Sequence, residues 1–444
     1  MRLPFLLLAA ALALAPGAGA VTDGDRTQVY HEFRELFDAR NYEQARPVAE
    51  KLVALTEEQY GKDDRALVNP LSNLATVAYR LKDYPAAAKS YTRGIEILEA
   101  TAGNADRQLL RPLHGLGATY LAMERYDDAI APLKRAVDLS RNLDGLFNPD
   151  QMQYLEPLIA GYIALGRSAD AEKEQQYVLR TAEGAYGKSD VRMLGPLDRY
   201  ARWLESEDRY ASARAVHLRA LEIAEQGGGK ESLMTVTPLQ GLARSYRLEF
   251  LNGGGEPPEP DPFSSVGDLR AEPSDNPHLN AEGERDLKLA LERTDKAQPV
   301  DHKLRGAILM ELGDWYLSAG VGPRSIDIYR EAWKELAQAG ATQPLQAPRM
   351  IAYRVPSSSL KRSTLDPDSA ELRYVELRFT VTREGRIANI ATAGSDAPEA
   401  LQKTVVNSMK KARYSPRFEN GEPVETQGVT FREKLLLKKP KSKT

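Results

Sequence analysis

The stretch YGKDD, residues 60–64, returns as YGKSD at residues 186–190, three intervals of 42 residues later. Outward from it, Gly61, Gly103, Gly145, Gly187 and Gly229 share the interval, and three residues beyond each stands Asp64, Asp106, Asn148, Asp190 or Ser232. A glycine followed by a good N-cap is the pairing expected where one helix ends in the left-handed region and the next begins. Leu71, Leu113, Leu155, Leu197 and Leu239 keep the same spacing. So do Pro70, Pro112, Pro196 and Pro238, with Tyr154 in the gap. A further series, Tyr42, Tyr84, Tyr126 and Tyr210, precedes Ala45, Ala87, Ala129 and Ala213, and Ser168 with Ala171 fills the fourth place.

Coincident series at one period predict one helical hairpin per 42 residues, stacked so that neighbours bury what none could bury alone. The alanines mark the close crossing of the two helices, and the Leu and Tyr positions fill the seams. Leu116-Gly117-Ala118-Thr119-Tyr120, with Ala129, Leu133 and Ala136, resembles the tetratricopeptide repeat, and Leu312-Gly313-Asp314-Trp315-Tyr316 with Ala332 repeats the match. A period of 42 with a Gly-x-x-Asp linker is longer than the ~34 of the common form and is similar to the kinesin-light-chain type. The resemblance spans residues 27–338 and implies an α-solenoid. Leu312 lies 28 residues off register, which places an insertion of that length, rich in Gly, Pro and acid, in the sixth repeat at about 251–280. That composition predicts a mobile loop between helices near 234–249 and 281–296.

The chain has 444 residues, 42% hydrophobic and 28% charged, which is long enough for two or three domains with their own cores. MRLPFLLLAAALALAPGAGA, residues 1–20, has the three parts of a secretory signal, ending in Ala18-Gly19-Ala20, and predicts cleavage before Val21 and a periplasmic protein. There is no cysteine, hence no disulfide, thiolate nucleophile or lipidated Cys. Five scattered histidines, His31, His114, His217, His278 and His302, accompany no catalytic or metal-binding motif. GGGK at 227–230 belongs to the linker series, and Asp366 and Asp368 read as turn formers. The expectation is a non-enzymatic protein without cofactor, metal or nucleic-acid partner.

Near the C-terminus the pattern changes. ELRYVELRFTVTREGRIANI, residues 371–390, alternates apolar and polar residues through a Gly-containing turn and predicts two antiparallel strands. An amphipathic helix follows in DAPEALQKTVVNSMKKARYSPRF, residues 396–418, and then a last strand near 427–437. FTVTREGRI, a helix ending in ARYSP, and NGEPV resemble, in that order, the C-terminal domain of the TonB energy-transducer family, resting on Gly385, Tyr414, Pro416, Asn420 and Gly421. The resemblance implies a small antiparallel sheet packed with one or two helices and an edge that accepts a partner strand. Val429, Thr430, Phe431 and Arg432 of the last strand are the candidate edge residues. The fold class is thus multidomain α plus α+β. Residues 1–20 are a signal, 21–338 the solenoid, 339–370 a linker with a first strand, 371–438 the TonB-like domain and 439–444 a basic tail. Residues 346–444 carry 19 Lys or Arg against 11 Asp or Glu, so this region is near +8 and the rest of the mature chain near −12. That asymmetry favours an acidic partner or anionic surface. The tail KKPKSKT reads first as a solubilising end, and second as a contact to peptidoglycan or anionic lipid.

Within the solenoid, the first helices should line a groove that takes a segment of a protein partner, periplasmic or in the outer membrane. Positions implied by the tetratricopeptide resemblance are Ser72, His114, Glu156, Asp198 and Gln240, with Asn69, Arg111 and Gln153 one turn earlier and Arg202 and Arg244 one turn later. The function expected is an adaptor binding through this groove and the sheet edge. The alternative is an accessory energy transducer for outer-membrane transport, retained at the inner membrane by its signal segment.

Overall fold

A computed structural model describes residues 23–252, 281–353 and 370–438. The signal segment, the insertion beyond Asn252, Asp366 with Asp368, and the tail lie outside the described residues. Helices follow one another at the interval read from the sequence: α1 (Asp23–Asp38) pairs with α2 (Tyr42–Tyr60), α3 (Val68–Arg80) with α4 (Tyr84–Ala102) and α5 (Leu110–Ala122) with α6 (Tyr126–Asp144), α7 (Met152–Ala164) ends the first unit, and α8 (Ser168–Tyr186) opens the second. Next come α9 (Leu194–Ser206) with α10 (Tyr210–Gly228), α11 (Val236–Asn252) with α12 (Ala281–Lys296), and α13 (His302–Ser318) with α14 (Gly322–Gln338). The described residues form two compact units, one ending at Leu165 and the other beginning at Gly166.

The linker chemistry is the same at each joint. Gly61, Gly103, Gly145, Gly187 and Gly229 adopt φ between +78° and +92°, a region where a Cβ is costly. The side chains of Asp64, Asp106, Asn148, Asp190 and Ser232 then accept from the backbone N–H two residues on. What they cap is a short 3-10 turn, such as Arg65–Leu67, rather than the α-helix itself. The turn delivers the chain to the first helix two residues before the recurring proline, where no N–H is needed. Ala45, Ala87 and Ala129 in the first unit and Ala213 in the second are fully buried where the helices of their pairs meet, and Ala171 of α8 is fully buried as well.

Successive second helices are joined by an arginine 36 residues after a glutamate, six short of the period. Arg93 pairs with Glu57 and Arg135 with Glu99 in the first unit, and Arg219 Nη2 lies 2.6 Å from Glu183 Oε1 in the second. Two rings also use the repeat. Tyr91 and His217 stand three intervals apart, each flat against a glycine three intervals apart, Gly115 and Gly241, where an added Cβ would lie 2.3 Å and 2.2 Å from ring atoms.

The C-terminal module is built from β1 (Arg349–Ala352), β2 (Ala370–Val381), β3 (Ile387–Ser395), α15 (Glu399–Lys410), β4 (Arg413–Ser415), β5 (Arg417–Glu419), β6 (Glu422–Val424) and β7 (Thr426–Lys438). β2 is central, with β3 on one side and β7 antiparallel on the other, in one register from Ala370–Lys438 to Phe379–Val429 and shifted by a bulge before Val381–Thr426. The alternation in β2 is honoured: Val375, Leu377, Phe379 and Val381 are buried against Val405 and Met409 of α15 and Leu435 of β7. The expected helix through ARYSP is shorter than its pattern suggested. α15 stops at Lys410, and Arg413–Ser415 becomes β4, paired antiparallel with β1. Pro416 disfavours helix at Ser415, and the Tyr414 N–H donates to Gly385 O at 3.0 Å. Gly385 has φ +73°, and a Cβ there would stand 1.9 Å from Tyr414 O. Two of the residues behind the TonB resemblance are therefore in backbone contact.

This module covers the end of the helical stack. Phe418 of β5 is buried with its ring 6.1 Å from that of Tyr329 and 6.3 Å from that of Trp333, both on α14. Asn420 and Gly421, both at positive φ, make the two-residue turn of the β5–β6 hairpin. The hairpin is fastened further by Glu422, whose Oε2 accepts from Arg330 at 2.9 Å.

Candidate partner-binding surfaces

In the first unit the groove positions divide by exposure. Asn69, Gln153 and Glu156 are exposed, and the Gln153 amide donates to its own helix at Asp150 O, 3.0 Å away. Exposed Arg111 donates to Asn73 Oδ1 at 2.8 Å. His114 is half-buried with its ring edge-on to Tyr154 at 5.5 Å, and burial pushes its imidazole below the usual value. Ser72 is a correction: only 1% exposed, it is packed inside the helix layer and presents nothing to a partner.

In the second unit Asp198 and Arg202 of α9 pair with each other at 2.8 Å, and half-buried Gln240 and Arg244 sit at the matching positions of α11. The structure brings these together with residues that pattern reading left out. Glu205, one turn beyond Arg202, accepts from Arg244 Nε at 2.7 Å and Ser245 Oγ at 2.7 Å, and lies 3.2 Å from His217 Nε2. Burial raises the Glu205 carboxyl, but the hydrogen bonds from His217, Arg244 and Ser245 and the Arg244 charge outweigh it and hold the group at about 2. Beside the network lies a cavity of about 260 Å³ lined by Asp198, His217, Thr237 and the apolar Leu194, Ala220 and Pro238. Asp198 Oδ1 and Arg244 Nη2 are buried without a hydrogen-bond partner among the described residues.

The same face continues onto α13. Asp314, 1% exposed, accepts from Tyr329 Oη at 2.6 Å and from both Arg349 Nη atoms at 2.8 and 2.9 Å. Arg349 belongs to β1, and Arg247 of α11 donates to the β1 carbonyl of Ile351 at 3.4 Å. Asp314 was findable in the sequence. It continues the series of Arg202 and Arg244 once the 28-residue shift is added to one interval.

The second surface is β7. Among the described residues it pairs with β2 on one side and forms the outer edge of the three-stranded sheet on the other. Thr430 and Arg432 are exposed, and Val429 and Phe431 are half-buried on the core side, Phe431 with its ring 5.0 Å from Tyr353. Arg432 also bridges to Glu376 on β2.

Residues 374–432 match the Gram-negative bacterial TonB protein C-terminal. Residues 36–100 and 113–150 match tetratricopeptide repeat models. No curated protein matches the chain. Among solved structures, the "kinesin light chain nearly identical TPR-like repeats" of Podosopora anserina are 15% identical at a TM-score of 0.42, covering 46% of this chain and 96% of that one. The C-terminal part of a TPR repeat-containing protein from Cytophaga hutchinsonii is 16% identical at a TM-score of 0.42, covering 69% and 94%. The chain is a TPR-like helical solenoid followed by a small antiparallel sheet of TonB C-terminal type. Such repeats are protein-interaction scaffolds, and the C-terminal match points to a Gram-negative envelope protein. No helix among the described residues is long and apolar enough to cross a membrane.

Electrostatics single out Glu311 on α13. Burial pushes its carboxyl up to about 7 against the opposing charges of Arg244, Arg247 and Arg202, with Asp314 adding to the rise. A folded-state value above the unfolded one means that the unfolded chain releases its proton first. Glu311 therefore costs nothing below about pH 4.5 and progressively destabilises the fold as pH rises from there to about 7. Glu311→Gln should melt with the parent at pH 4.5 and be more stable by roughly 2–3 kcal/mol at pH 8. Thermal denaturation across that range checks it, and a constant difference between the two proteins would exclude titration of Glu311.

Proposed function

We propose that this protein is a periplasmic adaptor that carries no chemistry of its own and joins partners through two surfaces. One is the first-helix groove of the second unit, including Asp198, Arg202 and Arg244. The other is the outer edge of β7. The observation that carries this reading is the edge itself: β7 runs for 13 residues and is paired by β2 alone among the described residues. A long edge strand offers a row of unpaired N–H and C=O groups, which an extended partner segment can take up as a further strand. The bridge between Arg432 and Glu376 and the packing of Phe431 on Tyr353 are side-chain contacts and leave the outward amides of β7 unused.

A second reading is favoured by the TonB C-terminal match: an accessory transducer for outer-membrane transport, held at the inner membrane by its first residues. The two readings differ at the N-terminus. The adaptor should be recovered from the periplasmic fraction beginning at Val21, as shown by N-terminal sequencing. A membrane-bound chain beginning at Met1 would favour the transducer.

Strand addition has its own test in the full chain. Thr430 and Phe431 are adjacent, so their N–H groups point to opposite sides of β7. Proline at the inward position removes a bond to β2 and should lower the melting temperature. Proline at the outward position should leave folding nearly intact and abolish capture of envelope partners. If both variants fold and capture as the parent does, β7 is not the pairing edge.

A further inference from the structure

The α9–α11–α13 face holds four carboxylates, and three are taken. Asp198 accepts from Arg202, Glu205 from Arg244 and Ser245, and Asp314 from Arg349 and Tyr329. Half-buried Glu311, one turn from Asp314, forms no hydrogen bond or ion pair among the described residues. The arginines of the face are the reverse case. Arg202 and Arg244 are bound to carboxylates, and Arg247 donates to the Ile351 carbonyl. Among the described residues, an acidic ligand would find only Arg244 Nη2 unpaired, on a guanidinium already held by Glu205, whereas a basic one would meet a whole free carboxylate.

The protein's own β1 shows how this face holds a polypeptide. The strand is extended, its Arg349 guanidinium grips Asp314 through two bonds, and its Ile351 carbonyl receives Arg247. Two-point guanidinium–carboxylate contact supplies both energy and geometry. We propose that Glu311 anchors an arginine or lysine of an extended partner segment lying on this face, so that the groove selects basic rather than acidic segments. The inference rests on the groove reading above and names the chemistry of its partner. A cation bound at Glu311 would displace the proton that burial keeps there, with Arg202, Arg244 and Arg247 opposing that proton and Asp314 favouring it. Binding should therefore strengthen as pH rises.

The probe is a fluorescein-labelled peptide of the protein's own residues 346–353, QAPRMIAY, titrated with the full chain, beside a peptide with glutamate in place of the arginine. The arginine peptide should bind at pH 8, at least tenfold more weakly at pH 5.5, and at least tenfold more weakly to Glu311→Gln at pH 8. The glutamate peptide should bind at least tenfold more weakly than the arginine peptide. Equal or tighter binding of the glutamate peptide, or arginine-peptide binding that ignores Glu311→Gln, overturns the inference and leaves the groove reading standing. Binding of neither peptide sinks both. The peptide exchange leaves the protein unchanged, so the result does not depend on how the variant folds.

Discussion

A hairpin of two amphipathic helices cannot bury its apolar face by itself, and everything else in this chain follows from that constraint. Each repeat hides its face against the next, so the stack needs a cover where it stops. Here the cover is the sheet module: Phe418 fills the seam beside Tyr329 and Trp333, while Arg349 neutralises the buried carboxylate of Asp314. An unpaired carboxylate at 1% exposure would be expensive. The module is in this sense the last repeat's missing neighbour.

Much of the fold was legible because a repeat prints the same physical need many times. The linker glycines, the cap residues and the crossing alanines recur at 42 residues: the glycines take positive φ but with near-extended ψ rather than the left-handed helical region, the caps serve a 3-10 turn rather than the α-helix, and the alanines are buried. The alternation in β2 was equally plain. α15 ends short of its amphipathic pattern, which carries on through Ala412 and Tyr414, because the burial of those residues serves β4 and the sheet core instead. The polar face was only half legible. Asp198, Arg202 and Arg244 came from repeat positions, but Glu205, Arg247 and Glu311 lie off that stripe, and only packing of neighbouring helices brings them to it. Ser72 failed for a related reason: a small polar residue at a groove position can turn inward when its helix packs tightly.

The face on α9, α11 and α13 and the sheet module share residues. Asp314 and Arg247 belong to the groove, yet both hold β1, which pairs with β4. A segment bound beside Glu311 would therefore lie next to the strand that ties the module down, and a strand added to β7 would extend the sheet beside it. Both surfaces present what an extended polypeptide needs: backbone partners along β7, and side-chain charges along the first helices.

Amide hydrogen exchange of the full chain with Phe418→Ala is the most direct test that the sheet module and the last hairpin are one cooperative body. Truncation of a buried Phe typically costs about 3–5 kcal/mol. If the module closes the stack, residues 302–338 of α13 and α14 should lose protection together with β1 and β4–β6, while α9 and α10 keep theirs. Faster exchange confined to the strands, with α13 and α14 protected as in the parent, would show that the helices end the stack unaided and would contradict it.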